Sequence, residues 1–303
     1  MFDGFDRLRV RTSGAEINLV RGGEGPPVLL LHGWPETLAQ WHLVAPKLAE
    51  RFTVVCADLR GHGDSSKPDG GPSTYSKRAM ALDQVETMEA LGFARFGLVG
   101  HDRGARVGFR LALDHPERVA RLALLDIAPT LTVLASVDKD VAARIYHWFF
   151  LVQPDGLPER LIAADPSFFL RWHLRHWSGG DDSFFAPEAL AEYERCLADP
   201  EAIRANCDDL RALVSIDAED DGADRGRRRI ACPLLVLWGS KWIAGDLVPP
   251  WLEWANDVRG HPLPAGHFLA EEQPEETAAE LRAFLEEGVK KGGWPFGGGS
   301  GRA

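Results

Sequence analysis

Six short apolar runs set the strongest limit on what this chain can fold into: EINLV (16–20), PVLLLH (27–32), FTVVCAD (52–58), FGLVGH (96–101), RLALLD (121–126) and PLLVLW (233–238). Several show no polar alternation, so the sheet they form must be covered on both faces. Helical periodicity between the later runs supplies that cover, at 77–91 (closed by Gly92), 103–113 and 275–287. Strands alternating with helices predict an α/β fold with a mostly parallel, doubly wound sheet.

The rhythm breaks once. From 129 to 230 strand-like runs vanish and aromatic helical segments take over: ARIYHWFFLV, PSFFLRWHLRHW, PEALAEYERCL. A linker would not carry so many aromatics, so this stretch reads as a helical cap inserted into a core made of 1–128 and 231–288. The Gly-rich end, 289–303, reads as a disordered tail. With 303 residues, 45% of them hydrophobic, the chain can bury one large core. A net charge of -11 argues against a broad nucleic-acid surface, and the basic run RGRRR (225–229) reads as a solvated loop. Cys56, Cys196, Cys207 and Cys232 lie far apart, which predicts neither a disulfide scaffold nor a metal site. No apolar stretch approaches the ~18 residues that span a membrane. MFDGFDRLRV lacks the basic-then-apolar pattern of a signal peptide. The expectation is a soluble cytoplasmic protein with no nucleic-acid or membrane partner.

The chemistry centres on GHDRG, Gly100 to Gly104. Small residues two positions either side of Asp102, between a strand and a helix, mark the tight turn called a nucleophile elbow. The bland alternative is an aspartate that caps the next helix. His267, in PAGHFLAEEQPEE, lies after the last strand-like run and before the final helix, where this fold places its base. His261 sits earlier, at the strand. The acid that orients the base is expected at Asp126, ending RLALLD, with Asp246 as runner-up, because Trp242 occupies another common position. HGWP (His32 to Pro35) follows PVLLL. Its turn should supply one oxyanion-hole N–H from Trp34, the other coming from Arg103, with His32 structural.

An aspartate at the elbow selects the reaction. A serine attacking a saturated carbon would form an ether that water does not cleave. Aspartate forms an ester, which histidine-activated water hydrolyses at the Asp102 carboxyl carbon. Alkyl halides and epoxides are the two obvious substrates. Epoxide opening needs an acid such as tyrosine, and the chain has three: Tyr75 in a core loop, with Tyr146 and Tyr193 in the cap. Halide departure needs donors, and Tyr146-His147-Trp148 offers them, though such a trio can also be ordinary packing. Arg103 and Arg106 share a face at the positive end of the elbow helix. Together they suit a substrate carboxylate, unless one pairs with a structural acid.

GHDRGAR, LDIAPT, RIYHWFFLVQP, HGWPET with WHLVAPKLAERF, and GHFLAEE together resemble the fluoroacetate and haloacetate dehalogenases of the α/β-hydrolase superfamily, from about residue 20 to 287. The resemblance implies the α/β-hydrolase fold, with Asp102 as nucleophile, His267 as base and Asp126 as its partner. It implies that Arg103 and Arg106 hold the haloacetate carboxylate and that His147, Trp148 and Trp177 form the halide pocket. It implies no cofactor, a small anionic haloacid and water as partners, and a homodimer. Two family tyrosines are replaced, by Leu210 in CDDLR and by Val133. Fluoride benefits most from strong donors, so these losses should weaken C–F cleavage more than C–Cl or C–Br cleavage. The rivals are an epoxide hydrolase using Asp102 with Tyr146 or Tyr193, and a non-catalytic receptor, which would not need Asp102, Asp126 and His267 together. An esterase is disfavoured by the missing serine.

Overall fold

The computed structural model describes residues 1–290 and Trp294. Eight strands form one sheet: β1 Asp6–Arg11, β2 Glu16–Gly22, β3 Pro27–Leu31, β4 Thr53–Ala57, β5 Phe96–His101, β6 Val119–Leu125, β7 Leu234–Gly239 and β8 Val258–Leu263. Their order is β1-β2-β4-β3-β5-β6-β7-β8, with the β1–β2 and β2–β4 pairs antiparallel and the remaining pairs parallel. β3, β5, β6 and β7 are buried throughout, and their apolar side chains divide between two clusters. This is the two-faced burial that the unbroken apolar runs require. β1 (DRLRVR) and β8 (VRGHPL) are the strands those runs omit: they form the two edges of the sheet, both are only partly buried, and their charged and polar residues break the apolar signal.

Six helices matter for the site: α1 Lys77–Ala90, α2 Asp102–Asp114, α3 Tyr146–Leu151, α4 Pro166–Trp177, α5 Pro200–Ala212 and α6 Pro274–Lys290. Gly92 takes φ 87° after α1, where the Phe93 N–H donates to the Met88 carbonyl at 2.8 Å, a Schellman-type ending. Between β6 and β7 every regular element is helical, and the chain rejoins the core at the Ile230–Ala255 bridge. Many buried residues of this segment belong to a third apolar cluster that also takes in Trp34 and Phe268 from the core. Of the segment expected as a tail, Val289 and Lys290 complete α6 and Trp294 is buried 6.1 Å from Phe52, ring to ring. The remainder lies outside the described residues.

Candidate active site

β5 passes into α2 with no loop between them. The reversal holds Asp102 at φ 43°, in the left-handed region, a strain that concentrates at functional positions. A Cβ on Gly100 would lie 2.4 Å from the Gly104 carbonyl oxygen, and one on Gly104 would lie 2.4 Å from that of Leu31. Glycine at both positions therefore permits the turn. The Gly104 N–H donates to the His32 carbonyl at 2.9 Å, which ties the elbow to the turn after β3. From that turn the Trp34 N–H donates to Asp102 Oδ1 at 3.0 Å. The Arg103 N–H falls in the first turn of α2, where a helix offers no acceptor of its own.

Asp126 follows β6, also in the left-handed region at φ 56°. Its Oδ1 accepts the Gly239 N–H at 2.8 Å, and its Oδ2 accepts His267 Nδ1–H. With the proton on Nδ1, the Nε2 lone pair is free, and Nε2 is buried without a partner. The His267 loop is held on several sides. Its N–H donates to the Trp177 carbonyl at 3.0 Å, and its carbonyl accepts His101 Nε2–H at 2.9 Å. Glu272 accepts the flanking Gly266 and Phe268 N–H groups at 2.6 and 3.0 Å. Asp246, the alternative partner, is exposed and accepts the Val248 N–H at 2.8 Å, away from His267. His261 lies on β8 with Nε2 3.5 Å from Glu280. His32 uses both ring nitrogens on backbone, at Gly33 O and Leu59 N.

The electrostatics set Asp102 and His267 apart. Burial would raise the Asp102 carboxyl, but Arg103, then His267, His101 and Arg106, outweigh it and hold Asp102 below the usual carboxylate range. Burial disfavours a charged His267, yet Asp126 outweighs burial and raises its proton affinity. His147 is pushed well below the ordinary histidine range, chiefly by burial and then by His173, so it stays neutral.

A cavity of about 270 Å³ is lined by Asp102 and His267 together with Arg106, His147, Trp148, Trp177 and Trp242. Arg106 Nη1 donates to Thr130 Oγ1 at 2.8 Å, and its guanidinium carbon lies 4.9 Å from the Trp148 ring centroid. Arg106 makes no ion pair among the described residues, and burial with Arg103 nearby lowers it to about 10. Arg103 does not line the cavity. Its Nε lies 3.4 Å from Asp209 Oδ2 and 3.9 Å from Asp102 Oδ1, and Nη1 is buried without a hydrogen bond. Asp209 in turn bonds Lys77 Nζ. The expected pair thus sits in two settings, one guanidinium at the cavity and one against a structural acid.

Aromatic rings close the site. Trp34 stacks on His147 at 5.6 Å and 4°, His147 lies 4.8 Å from Trp177, and Trp177 lies 5.1 Å from His267, all between centroids. Trp34 Nε1, Trp177 Nε1 and His147 Nδ1 are buried with no partner. Leu210 is fully buried in the third apolar cluster and does not line the cavity, whereas Val133 does. None of the three tyrosines lines it. Tyr146 stacks on His173 at 5.6 Å, Tyr193 donates to Glu271 Oε1 at 3.0 Å, and Tyr75 donates to the Pro68 carbonyl at 2.7 Å. The single cluster of potential metal ligands among the described residues, Asp64, Glu192 and Cys196, also lies outside the cavity, and Arg195 bridges its two acids.

Sequence reading missed Asp209, Glu272 and Thr130. Asp209 lies on α5 with no local signal in the sequence for its partners Lys77 and Arg103, which come from other helices. Glu272, six residues after Gly266 in AGHFLAEE, is the one with a local signal, as an acid placed to collect the amides of a preceding turn.

The fold and the strained aspartate turn define a class first: an α/β hydrolase with a carboxylate at the elbow. The chain belongs to the α/β-hydrolase family, whose fold model matches residues 26–274. It is similar to a fluoroacetate dehalogenase from a Burkholderia species, with 49% identity covering 95% of this chain and 96% of that protein. It is also similar to a soluble epoxide hydrolase from a Corynebacterium species, with 36% identity covering 90% of this chain and 96% of that protein. Among solved structures, a putative alpha/beta hydrolase from a Nostoc species superposes with TM-score 0.92 at 54% identity, covering 94% of this chain and 99% of that one. A mutant of a putative epoxide hydrolase from Pseudomonas aeruginosa, with bound MFA, gives 0.91 at 48%, covering 95% and 98%.

Proposed function

We propose that this protein is a hydrolytic dehalogenase of haloacetate and related short 2-haloacids, with the segment 129–230 serving as cap over the core. Asp102 attacks the halogen-bearing carbon from behind. The C–O bond of an aspartyl ester forms as the carbon–halogen bond breaks and halide leaves with the electron pair. His267 Nε2 then takes a proton from water, and the resulting hydroxide attacks the Asp102 carboxyl carbon. Trp34 N–H and Arg103 N–H hold the oxyanion, and its collapse releases glycolate and regenerates Asp102. Asp126 holds the tautomer of His267 and stabilises its charged form.

The observation that carries this reading is Arg106, a buried guanidinium beside Asp102 with no carboxylate of its own. A substrate carboxylate would complete it, with Arg103 as a second positive charge. His147, Trp148 and Trp177 are assigned to the departing halide, with Trp34 behind them. The relative named as an epoxide hydrolase favours the second reading. Against it stands the cavity, which no tyrosine lines to protonate an alkoxide. With Leu210 turned into the apolar cluster, C–F cleavage is expected to be weaker than C–Cl cleavage. Among the described residues no helix is long and apolar enough to cross a membrane. The four free, buried cysteines suit a cytoplasmic enzyme. Exposed Phe149, Leu157, Leu161, Phe168 and Trp172, in or beside α3 and α4, suit a homodimer contact.

The test is halide release from fluoro-, chloro- and bromoacetate, with styrene oxide alongside, by wild type and Asp102→Ala. Release by wild type alone supports the proposal. No release from any haloacetate, or diol from styrene oxide instead, overturns it.

A further inference from the structure

We infer that the cavity is built for a 2-halo acid bearing an apolar group of about phenyl size on its α-carbon, more than for haloacetate itself. The inference rests on the proposed reaction at Asp102 and concerns which acid enters it. Benzene fills an apolar cavity of about 150 Å³. Haloacetate has fewer non-hydrogen atoms than benzene, so in 270 Å³ it leaves at least roughly 120 Å³ unfilled. What borders the cavity away from the charged groups is apolar. Val133, Val141 and Ile145 come from the helical segment, and Ile243, Leu247 and Pro250 from the stretch after β7. Thr132, Ser136 and Arg144 interrupt this wall. A few polar groups that fix one end of a ligand, with an apolar wall for the rest, is how small-molecule sites divide their work. A wall facing haloacetate would face water, and each methylene that displaces this water favours binding roughly fourfold.

A substituent makes the α-carbon a stereocentre. Arg106 for the carboxylate, Asp102 for the attack and the apolar wall for the substituent are three fixed points, so one enantiomer fits. Attack by Asp102 inverts that carbon as carbon–halogen gives way to carbon–oxygen. Water then adds at the Asp102 carboxyl carbon and leaves the new bond intact. One halide, one proton and one 2-hydroxy acid of inverted configuration result.

The experiment compares chloroacetate with each enantiomer of 2-chloropropanoate, 2-chloro-3-methylbutanoate and 2-chloro-2-phenylacetate by halide release, with chiral analysis of the hydroxy acid. Binding of glycolate and of 2-hydroxy-2-phenylacetate is measured by calorimetry. One phenyl-bearing enantiomer is expected to show a KM at least tenfold below that of chloroacetate, with inverted product and a matching advantage in binding. Val141→Trp, at a half-buried position, should fill the space and remove that advantage, read as the ratio of the KM values of the two acids. Leu247→Phe is the second variant should the first not fold. Turnover of chloroacetate without turnover of the phenyl acid overturns the inference and leaves the reaction standing. Halide release from none of the acids overturns the reaction, and the wall is then judged on calorimetry: 2-hydroxy-2-phenylacetate bound no tighter than glycolate overturns it.

Discussion

Replacing Arg106 with methionine keeps an unbranched side chain against Trp148 and Thr130 and removes the charge. Taking one partner from a buried, hydrogen-bonded charge pair costs about 2–5 kcal/mol. One Nη1–H of Arg106 is already engaged by Thr130 at 2.8 Å, and Arg103 remains as a second cation near Asp102. The loss should therefore sit in the lower part of that range, about 3 kcal/mol, or roughly 150-fold in kcat/KM for chloroacetate at 1.36 kcal/mol per decade. Most of it should appear in KM, because the carboxylate is held in ground and transition state alike. Chloroacetamide offers the same carbon and halide without the charge, and its kcat/KM should change severalfold at most. The double comparison of variant and substrate isolates the charge contact from general damage. Folding gives a second check. A buried cation without an ion pair is costly to desolvate, so the methionine variant should melt no lower than wild type. An unchanged chloroacetate KM, or equal losses for chloroacetate and chloroacetamide, would refute the assignment and return Arg106 to a structural role with Thr130 and Trp148.

Changing His267 to Asn removes the base and leaves Asp102 in place, so an accepted haloacid should add its acyl mass to the intact protein, and the absence of any adduct would end the two-step scheme. In wild type, hydrolysis of the ester requires neutral His267. Asp126 outweighs burial to raise that histidine, so kcat should fall on acidification with a midpoint above the ordinary histidine range. Asp102 is held below the usual carboxylate range, so ester formation in the His267→Asn variant should stay flat from roughly pH 5 to 8. A shared acid limb for both steps would contradict that division. Leu210→Tyr should raise the ratio of fluoroacetate to chloroacetate turnover at least severalfold, at an overpacking cost of about 1–3 kcal/mol read from the melting temperature. A folded variant with an unaltered ratio would detach Leu210 from halide choice.

Asp102 and His267 were legible for different reasons. The elbow is local: two glycines, an intervening aspartate, an apolar strand before and a helix after state the geometry within a few residues, and the two Cβ clashes show why those glycines are needed. Position alone, late in the chain before the last helix, singled out His267. Asp126 was harder, because its bond to His267 joins residues 141 apart and no spacing encodes that distance. Only the end of an apolar strand marked it. The arginines show where such reading stops. At i and i+3 on one helix they look equivalent, and the helical period says only that they share a face. What separates them is the far side of each contact. Asp209 from α5, itself bonded by Lys77 from α1, lies against Arg103, whereas Arg106 meets the hydroxyl of Thr130 and the face of Trp148. A charged residue in a polar helical segment carries no mark of whether its opposite partner waits in another helix, so the effect of Asp209 on Arg103 is not visible in the sequence. The aromatics follow the same rule. His147 and Trp148 were legible as adjacent donors in one helical run, whereas Trp177 joined them only through the resemblance. Trp34 was read for its backbone alone, although its ring stacks on His147 across the join between core and helical segment. Local turns and apolar periods can be read along a chain, but the pairing of distant polar groups decides which of two similar arginines faces substrate, and that is settled only when the helices pack.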